Sequence, residues 1–318
     1  MNLYPMKLKP VLKEIIWGGS RLASDYGKSS DKTQKIAESW ELAVHENGTS
    51  IIENGEHAGK SLGELFEADK SIVAPDYNSD KFPLLVKFID AEKNLSVQVH
   101  PDDAYAARQK GESGKTEMWY VMEAKPGAKM VFGLNGDYTR EQLQRLVDEN
   151  KFEQCLNYED AKPGDVFFVP AGLVHAIGEG ILLAEIQQNS DTTYRLYDYN
   201  RIGADGKARE LHIKKALDAC IKTKAKTQAK KAGSEKKHEI LADCEYFCVE
   251  RFFGTDCKLE PICMKAVVCT KGEGEIAHKD KIYAINKGES YFLPAGLSKC
   301  EIKPQNGDFT YLCVGIYN

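Results

Sequence analysis

Two imidazoles, one carboxylate and one side-chain amide stand in a pattern that suits metal binding. Gln98 and His100 lie in the stretch SVQVHPDD, where alternation along a strand would turn both side chains to one face. Glu117 lies in the strand-like stretch KTEMWYV, and His175 ends the phrase GDVFFVPAGLVH, whose Pro and Gly predict a tight turn. These nitrogen and oxygen donors suit zinc, with manganese, cobalt and iron as alternatives. The four residues together predict one divalent metal ion held by strands that meet in a barrel.

Each of these residues also has a purely structural interpretation. A single histidine in a strand is usually hydrogen-bonded or exposed, a glutamate such as Glu117 is often a surface carboxylate, and Pro-Ala-Gly is a common turn. The combination, in this order and with these gaps, is more specific than any member. We therefore favour the metal site over four unrelated residues.

The phrase that ends in His175 is written twice in this chain. GDVFFVPAGLVH (residues 164–175) and GESYFLPAGLSK (residues 288–299) share the frame Gly, five residues, Pro-Ala-Gly-Leu, one residue and a twelfth position. That position is His175 in the first copy and Lys299 in the second, and a lysine cation is a poor replacement for an imidazole ligand. His278 is left as the candidate ligand in the second copy, without the partners found in the first. An internal duplication with one metal site, in the first copy, explains this pattern.

Short segments rich in β-branched and aromatic residues predict a mainly β chain, folded as sandwiches or barrels. Helical signals are fewer. TREQLQRLVDENKFEQCL begins with a capping-box pair, Thr139 and Gln142, and ELHIKKALDACIK has helical spacing. The predicted strands are PLLVKFI, NLSVQVH, EMWYVMEA, AKMVFGL, DVFFVPA, ILLAEIQQ and TYRLYDYN, then YFCVERFF, ICMKAVVCT, EGEIAH, SYFLPA and DFTYLCVGIY.

Composition excludes several classes of protein. The 318 residues carry a net charge of −5, and the one basic run, KTKAKTQAKKAGSEKK, has no aromatic residues to stack on bases, so we expect no nucleic-acid partner. The amino-terminal stretch MNLYPMKLKPVLKEIIWGG is broken by Lys and Pro, so we expect neither a signal peptide nor a membrane span. Nine cysteines without a CxxC motif favour core packing in a reducing, cytoplasmic compartment.

The basic run also provides the best domain boundary. It predicts a catalytic domain over residues 1–221, a Lys-rich linker over 222–237 and a second domain without metal over 238–318. The repeated phrase then falls once on each side of the linker.

The phrase with His175 resembles the second sequence motif of cupins. More of the chain resembles type I phosphomannose isomerases in their short bacterial form, over most of the first 215 residues, and the carboxy-terminal segment fits the same family. Longer members have an additional helical domain, where this chain has a short stretch near residues 139–156. The matching segments are IIWGGSRL, ESWELAVH, FPLLVKFIDAEKNLSVQVHPDD, KTEMWYV, VPAGLVHAIG and EIQQNSDTTYRLYDYNR.

The resemblance implies a fold and a set of functional residues. The implied fold is mainly β, with two cupin-type jelly-roll barrels and a few short helices. The implied metal ligands are Gln98, His100, Glu117 and His175. The implied catalytic residues are Arg195, Lys115, which lies beside the metal, and Asp191.

The implied reaction interconverts mannose 6-phosphate and fructose 6-phosphate through an enediol. It needs a base at the reacting carbons, a positively charged group beside the oxyanion and residues that bind the phosphate. Arg195 is suited to bind either the oxyanion or the phosphate. Lys115 and Asp191 are alternative candidates for the acid-base role. Lys87 and Ser96 are phosphate candidates, for which a surface role is an equal alternative. No glycine-rich nucleotide motif occurs, so no nucleotide cofactor is expected.

Two other functions fit parts of the same pattern. An Fe(II) cupin oxygenase would use His-x-His, whereas this chain has Gln98-Val-His100, and the neutral amide argues against that class. A non-catalytic sugar-phosphate sensor would keep the barrel but has no need of Lys115, Asp191 and Arg195. Oxygen uptake with Fe(II), or ligand binding without turnover, would identify these alternatives. The sequence does not predict an oligomeric state.

Overall fold

The protein is represented by a computed structural model, in which residues 2–202, 206–224, 230–231 and 236–317 are described. Strands dominate these residues, as the sequence predicts. The strands are β1 (Met6–Lys9), β2 (Val11–Lys13), β3 (Glu38–Leu42), β4 (Val44–His45), β5 (Gly48–Thr49), β6 (Ile51–Ile52), β7 (Leu84–Ala91), β8 (Val97–Val99), β9 (Glu117–Ala124), β10 (Lys129–Leu134), β11 (Leu156–Asp160), β12 (Asp165–Val169), β13 (His175–Ile177), β14 (Ile181–Gln188), β15 (Tyr194–Tyr197), β16 (Lys230–Lys231), β17 (His238–Asp243), β18 (Cys248–Phe253), β19 (Cys257–Leu259), β20 (Lys265–Lys271), β21 (Glu273–His278), β22 (Lys281–Asn286), β23 (Ser290–Leu293), β24 (Cys300–Pro304) and β25 (Thr310–Gly315).

The helices are short. They are α1 (Arg21–Ser24), α2 (Leu62–Ala68), α3 (Asp103–Ala106), α4 (Arg140–Asp148) and α5 (Ile213–Ala219), with 3-10 turns at Gly55–His57, Lys70–Ile72 and Phe152–Cys155. The predicted capping box of α4 is present: Thr139 accepts the Gln142 amide, and the Gln142 side chain accepts the Thr139 amide. Among the described residues, no helix is both long and apolar enough to cross a membrane.

The chain divides into two compact units. One unit contains Met1–Lys13, Ser20–Phe88 and Ala232–Asn318, and the other contains Glu14–Gly19 and Ile89–Lys231. The boundaries of these units differ from the domain boundaries predicted at residues 221 and 238, because the amino-terminal strands pair with the carboxy-terminal ones. Of the predicted linker, residues 225–229 and 232–235 lie outside the described residues, and Lys230–Lys231 pairs with β12.

The unit that contains residues 89–231 holds the first copy of the repeated phrase. One of its sheets has the order β11-β10-β13-β8-β15, and β9 lies between β12 and β14 in another. Strands β8, β10 and β15 and helices α4 and α5 contribute to one core, in which Leu143 and Leu217 are fully buried. The strand ends in these two sheets carry the predicted metal ligands.

The other unit holds the second copy. Its larger sheet has the order β17-β18-β25-β20-β23-β1-β6, beside a four-stranded sheet β19-β24-β21-β22. Strand β1 pairs with β23, with Met6 opposite Phe292. The first residues of the chain are thus part of the sheet that the last residues build.

Each copy of the phrase forms a strand and a turn that lead into a second strand, β12 and β13 in one and β23 and β24 in the other. Gly164 and Gly288 have φ of 91° and 88°, and Gly172 and Gly296 have φ of 85° and 74°. These values lie in the left-handed region, which glycine adopts without steric cost. Backbone conformation therefore explains why both copies have glycine at these positions, independently of metal binding.

All nine cysteines are free, and seven of them are buried. This agrees with the interpretation of the thiols as core residues. Burial raises the pKa of Cys155 to about 12, which keeps this thiol protonated and unreactive at neutral pH.

Candidate metal centre

Three of the four predicted ligands converge on one point inside the residue 89–231 unit. The Nε2 atoms of His100 and His175 lie 3.1 Å apart, and each is 3.5 Å from a carboxylate oxygen of Glu117. All three side chains are buried. This is the arrangement that the residue types predict for a divalent ion.

Hydrogen bonds orient both imidazoles. His100 Nδ1 lies 2.8 Å from the carbonyl oxygen of Thr192, and His175 Nδ1 lies 2.8 Å from that of Leu173. A carbonyl only accepts hydrogen bonds, so Nδ1 carries the proton in each ring and Nε2 of the neutral ring keeps its lone pair. Carbonyl partners of this kind set the tautomer and direction of metal-binding histidines.

Strand register brings the remaining predicted residues to the same place. Gln98 on β8 stands opposite His175 on β13 and, on its other side, opposite Arg195 on β15. Glu117 on β9 stands opposite Val169 on β12 and Gln187 on β14. Residues distant in sequence are thus placed side by side by antiparallel pairing.

Gln98 borders the three convergent side chains. Its Nε2 lies 3.5 Å from His175 Nε2, and rotation of the amide by half a turn exchanges that nitrogen with Oε1. In that orientation an oxygen ligand faces the cluster. Gln98 therefore remains a candidate for a fourth ligand at this cluster.

Lys115 is buried against the cluster. Its Nζ donates to Glu117, lies 3.2 Å from His100 Nε2 and lies 3.5 Å from a carboxylate oxygen of Glu185. Burial lowers the pKa of His175 to about 4, so this ring is neutral at pH 7. Lys115 thus contacts two buried carboxyl groups and one imidazole.

These observations test whether the residues fit a metal ion. The Nε2 atoms of two imidazoles lie 3.1 Å apart, and a buried carboxylate lies beside them. Such acceptors repel one another until a cation lies between them. The donor set fits a divalent ion.

Arg195 and Ser96 lie together beside the ligand strand. The guanidinium Nε donates to Ser96 Oγ at 3.1 Å, and another guanidinium nitrogen donates to the Glu210 carbonyl oxygen at 2.8 Å. Burial lowers the pKa of Arg195 from its ordinary value, although arginine stays protonated at neutral pH. A fixed positive charge therefore lies next to Gln98.

Asp191 and Lys87 have different surroundings. Asp191 is exposed on the segment between β14 and β15, in contrast to the buried Lys115. Lys87 belongs to the other compact unit, where its Nζ lies 3.7 Å from a Glu38 carboxylate oxygen and over the ring of Trp40. Lys87 is buried, so the alternative of a surface lysine is wrong.

Sequence reasoning missed Glu185. This buried carboxylate is the one charged residue of β14, in the otherwise uncharged stretch ILLAEIQQ, and it faces Lys115. A charge inside a buried strand is costly unless it has a partner, which is the signal that would have identified it.

The second copy lacks this arrangement. His278 is buried, but its Nε2 lies 2.9 Å from Ser298 Oγ, and Lys299 is exposed. The one group of three or more His, Cys, Asp and Glu side chains with metal-ligand spacing in the described part of the chain is His100, Glu117 and His175. This cluster contains His175, which ends the first copy of the phrase.

The fold and this buried cluster define a cupin-type protein with a candidate metal site. Residues 6–131 match the family model "Phosphomannose isomerase type I, catalytic domain", and residues 237–308 match "Mannose-6-phosphate isomerase, cupin domain". The chain is 39% identical to mannose-6-phosphate isomerase ManA of Bacillus subtilis, over 95% of this chain and 97% of the relative. The chain belongs to the type I phosphomannose isomerase family.

Two further comparisons agree with this family assignment. A mannose-6-phosphate isomerase of Streptococcus mutans is 36% identical, over 91% of this chain and 92% of the relative. A crystal structure of the mannose 6-phosphate isomerase from Bacillus subtilis superposes with a TM-score of 0.89 at 34% identity, over 98% of this chain and 99% of that one. The predicted mainly β fold with two cupin-type jelly rolls is confirmed, although the described strands form separate sheets rather than closed barrels.

Proposed function

We propose that this protein is a metal-dependent aldose-ketose isomerase that interconverts mannose 6-phosphate and fructose 6-phosphate. The observation that carries the proposal is the buried convergence of His100, Glu117 and His175 with Lys115 against it. Full-length similarity to named mannose-6-phosphate isomerases supports the choice of substrate.

The reaction requires a proton to leave C2 of the aldose and a proton to arrive at C1. Lys115 is our candidate for this transfer, since its ammonium is buried between two carboxylates and an imidazole rather than in water. Its Nζ stands 3.2 Å from His100 Nε2, beside the candidate ligands, where a proton-transfer group would reach a sugar bound at the cluster. Asp191 competes for this role, but its exposure makes it the weaker candidate.

Arg195 is the candidate for holding negative charge. Its planar guanidinium remains protonated and binds oxygen anions through paired donors. Ser96 fixes the direction of the guanidinium through its hydroxyl, at 3.1 Å from Nε. Charge that develops on the enediolate, or the charge of the phosphate, is the partner we assign to Arg195. Lys87 is a second, weaker phosphate candidate.

Zinc is the proposed ion, held by His100, His175, Glu117 and the amide oxygen of Gln98. Two imidazoles and a carboxylate form a typical ligand set for zinc. When bound, the ion supplies Lewis acidity toward the sugar oxygens.

A small sugar phosphate is the proposed partner, with neither nucleic acid nor membrane. Nine free cysteines fit a reducing compartment, which supports a cytoplasmic location.

A coupled isomerase assay on protein reconstituted with zinc tests the proposal. We expect turnover of mannose 6-phosphate that depends on metal, with solvent deuterium entering the fructose 6-phosphate product at C1. Binding without turnover would identify a sugar-phosphate sensor, and oxygen uptake with Fe(II) would identify an oxygenase. Product without solvent deuterium after many turnovers from either sugar would contradict the enediol route.

A further inference from the structure

Hydrogen bonds from other elements hold the main chain on both sides of Lys115. The Gly114 amide donates to Asp103 Oδ1 at 3.1 Å, and the Lys115 amide donates to the Pro101 carbonyl oxygen at 3.0 Å. The Thr116 amide donates to Gln188 Oε1 at 2.8 Å. Three consecutive peptide groups therefore have specific acceptors, two of which are side chains.

The Gln188 side chain joins two of these contacts. Its Oε1 accepts the Thr116 amide, while its Nε2 donates to the Asp103 carboxylate at 3.1 Å and 3.4 Å. The Gln188 main-chain amide also donates to the Thr116 carbonyl oxygen at 3.1 Å. One amide thus connects the end of β14, the start of α3 and the segment that carries Lys115.

Gly114 fits this contact because it has no side chain. A Cβ atom at Gly114 would lie 2.4 Å from Asp103 Oδ1 and 2.6 Å from the Asp103 main-chain nitrogen. The second of these atoms belongs to the backbone and cannot rotate away. The segment before Lys115 therefore packs directly on the first residue of α3.

We propose that Gln188 and Asp103 are positioning residues for Lys115. Their hydrogen bonds to the Gly114 and Thr116 amides set where the Lys115 main chain stands, and so where its flexible side chain places Nζ. The inference rests on the proposed role of Lys115 in proton transfer. A displacement of about 1 Å in a reacting group lowers a rate by up to about 100-fold.

A double-mutant cycle tests the pair. Gln188→Glu keeps an acceptor for Thr116 but sets two carboxylates face to face, and Asp103→Asn sets two amide nitrogens face to face. The double variant Gln188→Glu/Asp103→Asn restores the shorter side-chain bond with its direction reversed, because the new asparagine donates to the new glutamate and still accepts from Gly114. We expect each single variant to lower kcat by about tenfold or more, and the double variant to recover to within about threefold.

Two measurements accompany kcat. KM and bound zinc should stay unchanged in all variants, since the two side chains act through the Lys115 main chain. Gly114→Ala should lower kcat as the single variants do, whereas Gly136→Ala, whose added Cβ meets its nearest atom at 3.4 Å, should not.

Several outcomes would overturn the inference: single variants with unchanged kcat, loss of zinc in the single variants, or a double variant no more active than the singles. Crystal structures of the zinc-bound variants separate this inference from the isomerase assignment. Lys115 Nζ should move away from Glu117 in Gln188→Glu and return in the double variant. An unmoved Lys115 would refute the positioning role, whereas an inactive wild-type enzyme with the predicted movement would refute only the assigned reaction.

Discussion

Arg195 stands directly opposite Gln98 in the antiparallel pair of β15 and β8. The register of two strands therefore places a permanent positive charge beside the candidate metal ligand, and the Ser96 hydroxyl, two residues before Gln98, directs the guanidinium. Because Arg195 is held by the strand ladder, its side chain can be replaced without removing Gln98 from the ladder.

Replacement of Arg195 separates catalysis from phosphate binding. If the guanidinium stabilises charge that appears only in the enediolate, Arg195→Ala should lower kcat by about 100-fold with KM and zinc content little changed. If it mainly holds phosphate, KM should rise instead. Arg195→Lys keeps the charge without the planar fork and should recover part of the activity. Unchanged kcat and kcat/KM in Arg195→Ala would remove this residue from the active site.

Metal content should follow the first copy of the repeated phrase alone. His100→Ala and His175→Ala should lose zinc and activity together, because each removes one of three convergent donors. His278→Ala and Lys299→His are the matched controls in the second copy and should each retain one zinc per chain. Elemental analysis measures the zinc content of each variant. Two ions per chain, or full occupancy in His175→Ala, would contradict the assignment.

The metal-free protein should lose stability in mild acid because of His175. Burial lowers the pKa of His175 from 6.5 to about 4, so between these values the unfolded chain binds a proton that the native ring does not. The contribution of the neutral His175 to the free energy of unfolding is fully present above pH 6.5. It falls as the pH drops toward 4, by about 3 kcal/mol in total. Urea unfolding of the metal-free protein at several pH values measures the slope. His175→Gln should remove this part of the slope, and an equal slope in both proteins would refute the prediction.

A buried ion pair should stabilise the unit that contains the second copy. Lys28 Nζ lies 2.7 Å from a Glu41 carboxylate oxygen, and Glu41 also accepts from Ser39 at 2.6 Å and from Ser290 at 2.8 Å. Lys28→Met would leave a buried carboxylate without its cation and should lower the free energy of unfolding by about 3–5 kcal/mol. Lys151→Met, which breaks an exposed pair with Glu149, is the control and should cost less than about 1 kcal/mol. Similar losses in both variants would contradict the structural role of Lys28.

Deletion of residues 237–318 should cause aggregation rather than release an active domain. Strand β1 would lose its partner β23, and Phe82 would lose its ring contact with Phe292. A strand edge and an apolar surface would then be exposed. Size-exclusion chromatography with light scattering would detect the aggregates. A soluble, monomeric and active truncated chain would show that the second copy is dispensable.

The sequence by itself determined the local elements and the chemistry of the ligands. The capping pair Thr139 and Gln142 was readable because a helix start depends on residues only three apart. Gln98, His100, Glu117 and His175 were readable because few residue types bind metals and because the Pro-Ala-Gly turn marks where a side chain emerges. The duplicated phrase predicts Lys299 at the position of a lost ligand, because its frame aligns Lys299 with His175.

The tertiary structure alone decided which distant residues meet. The pairing of β1 with β23 joins the two ends of the chain in one unit, and no local pattern near Met6 specifies a partner at Phe292. The contact of Glu185 with Lys115 depends on the pairing of β14 with β9, and a one-residue slip would turn Glu185 to the other face. Side-chain alternation is a local property of a strand, whereas register and partner choice depend on the packing of the whole core.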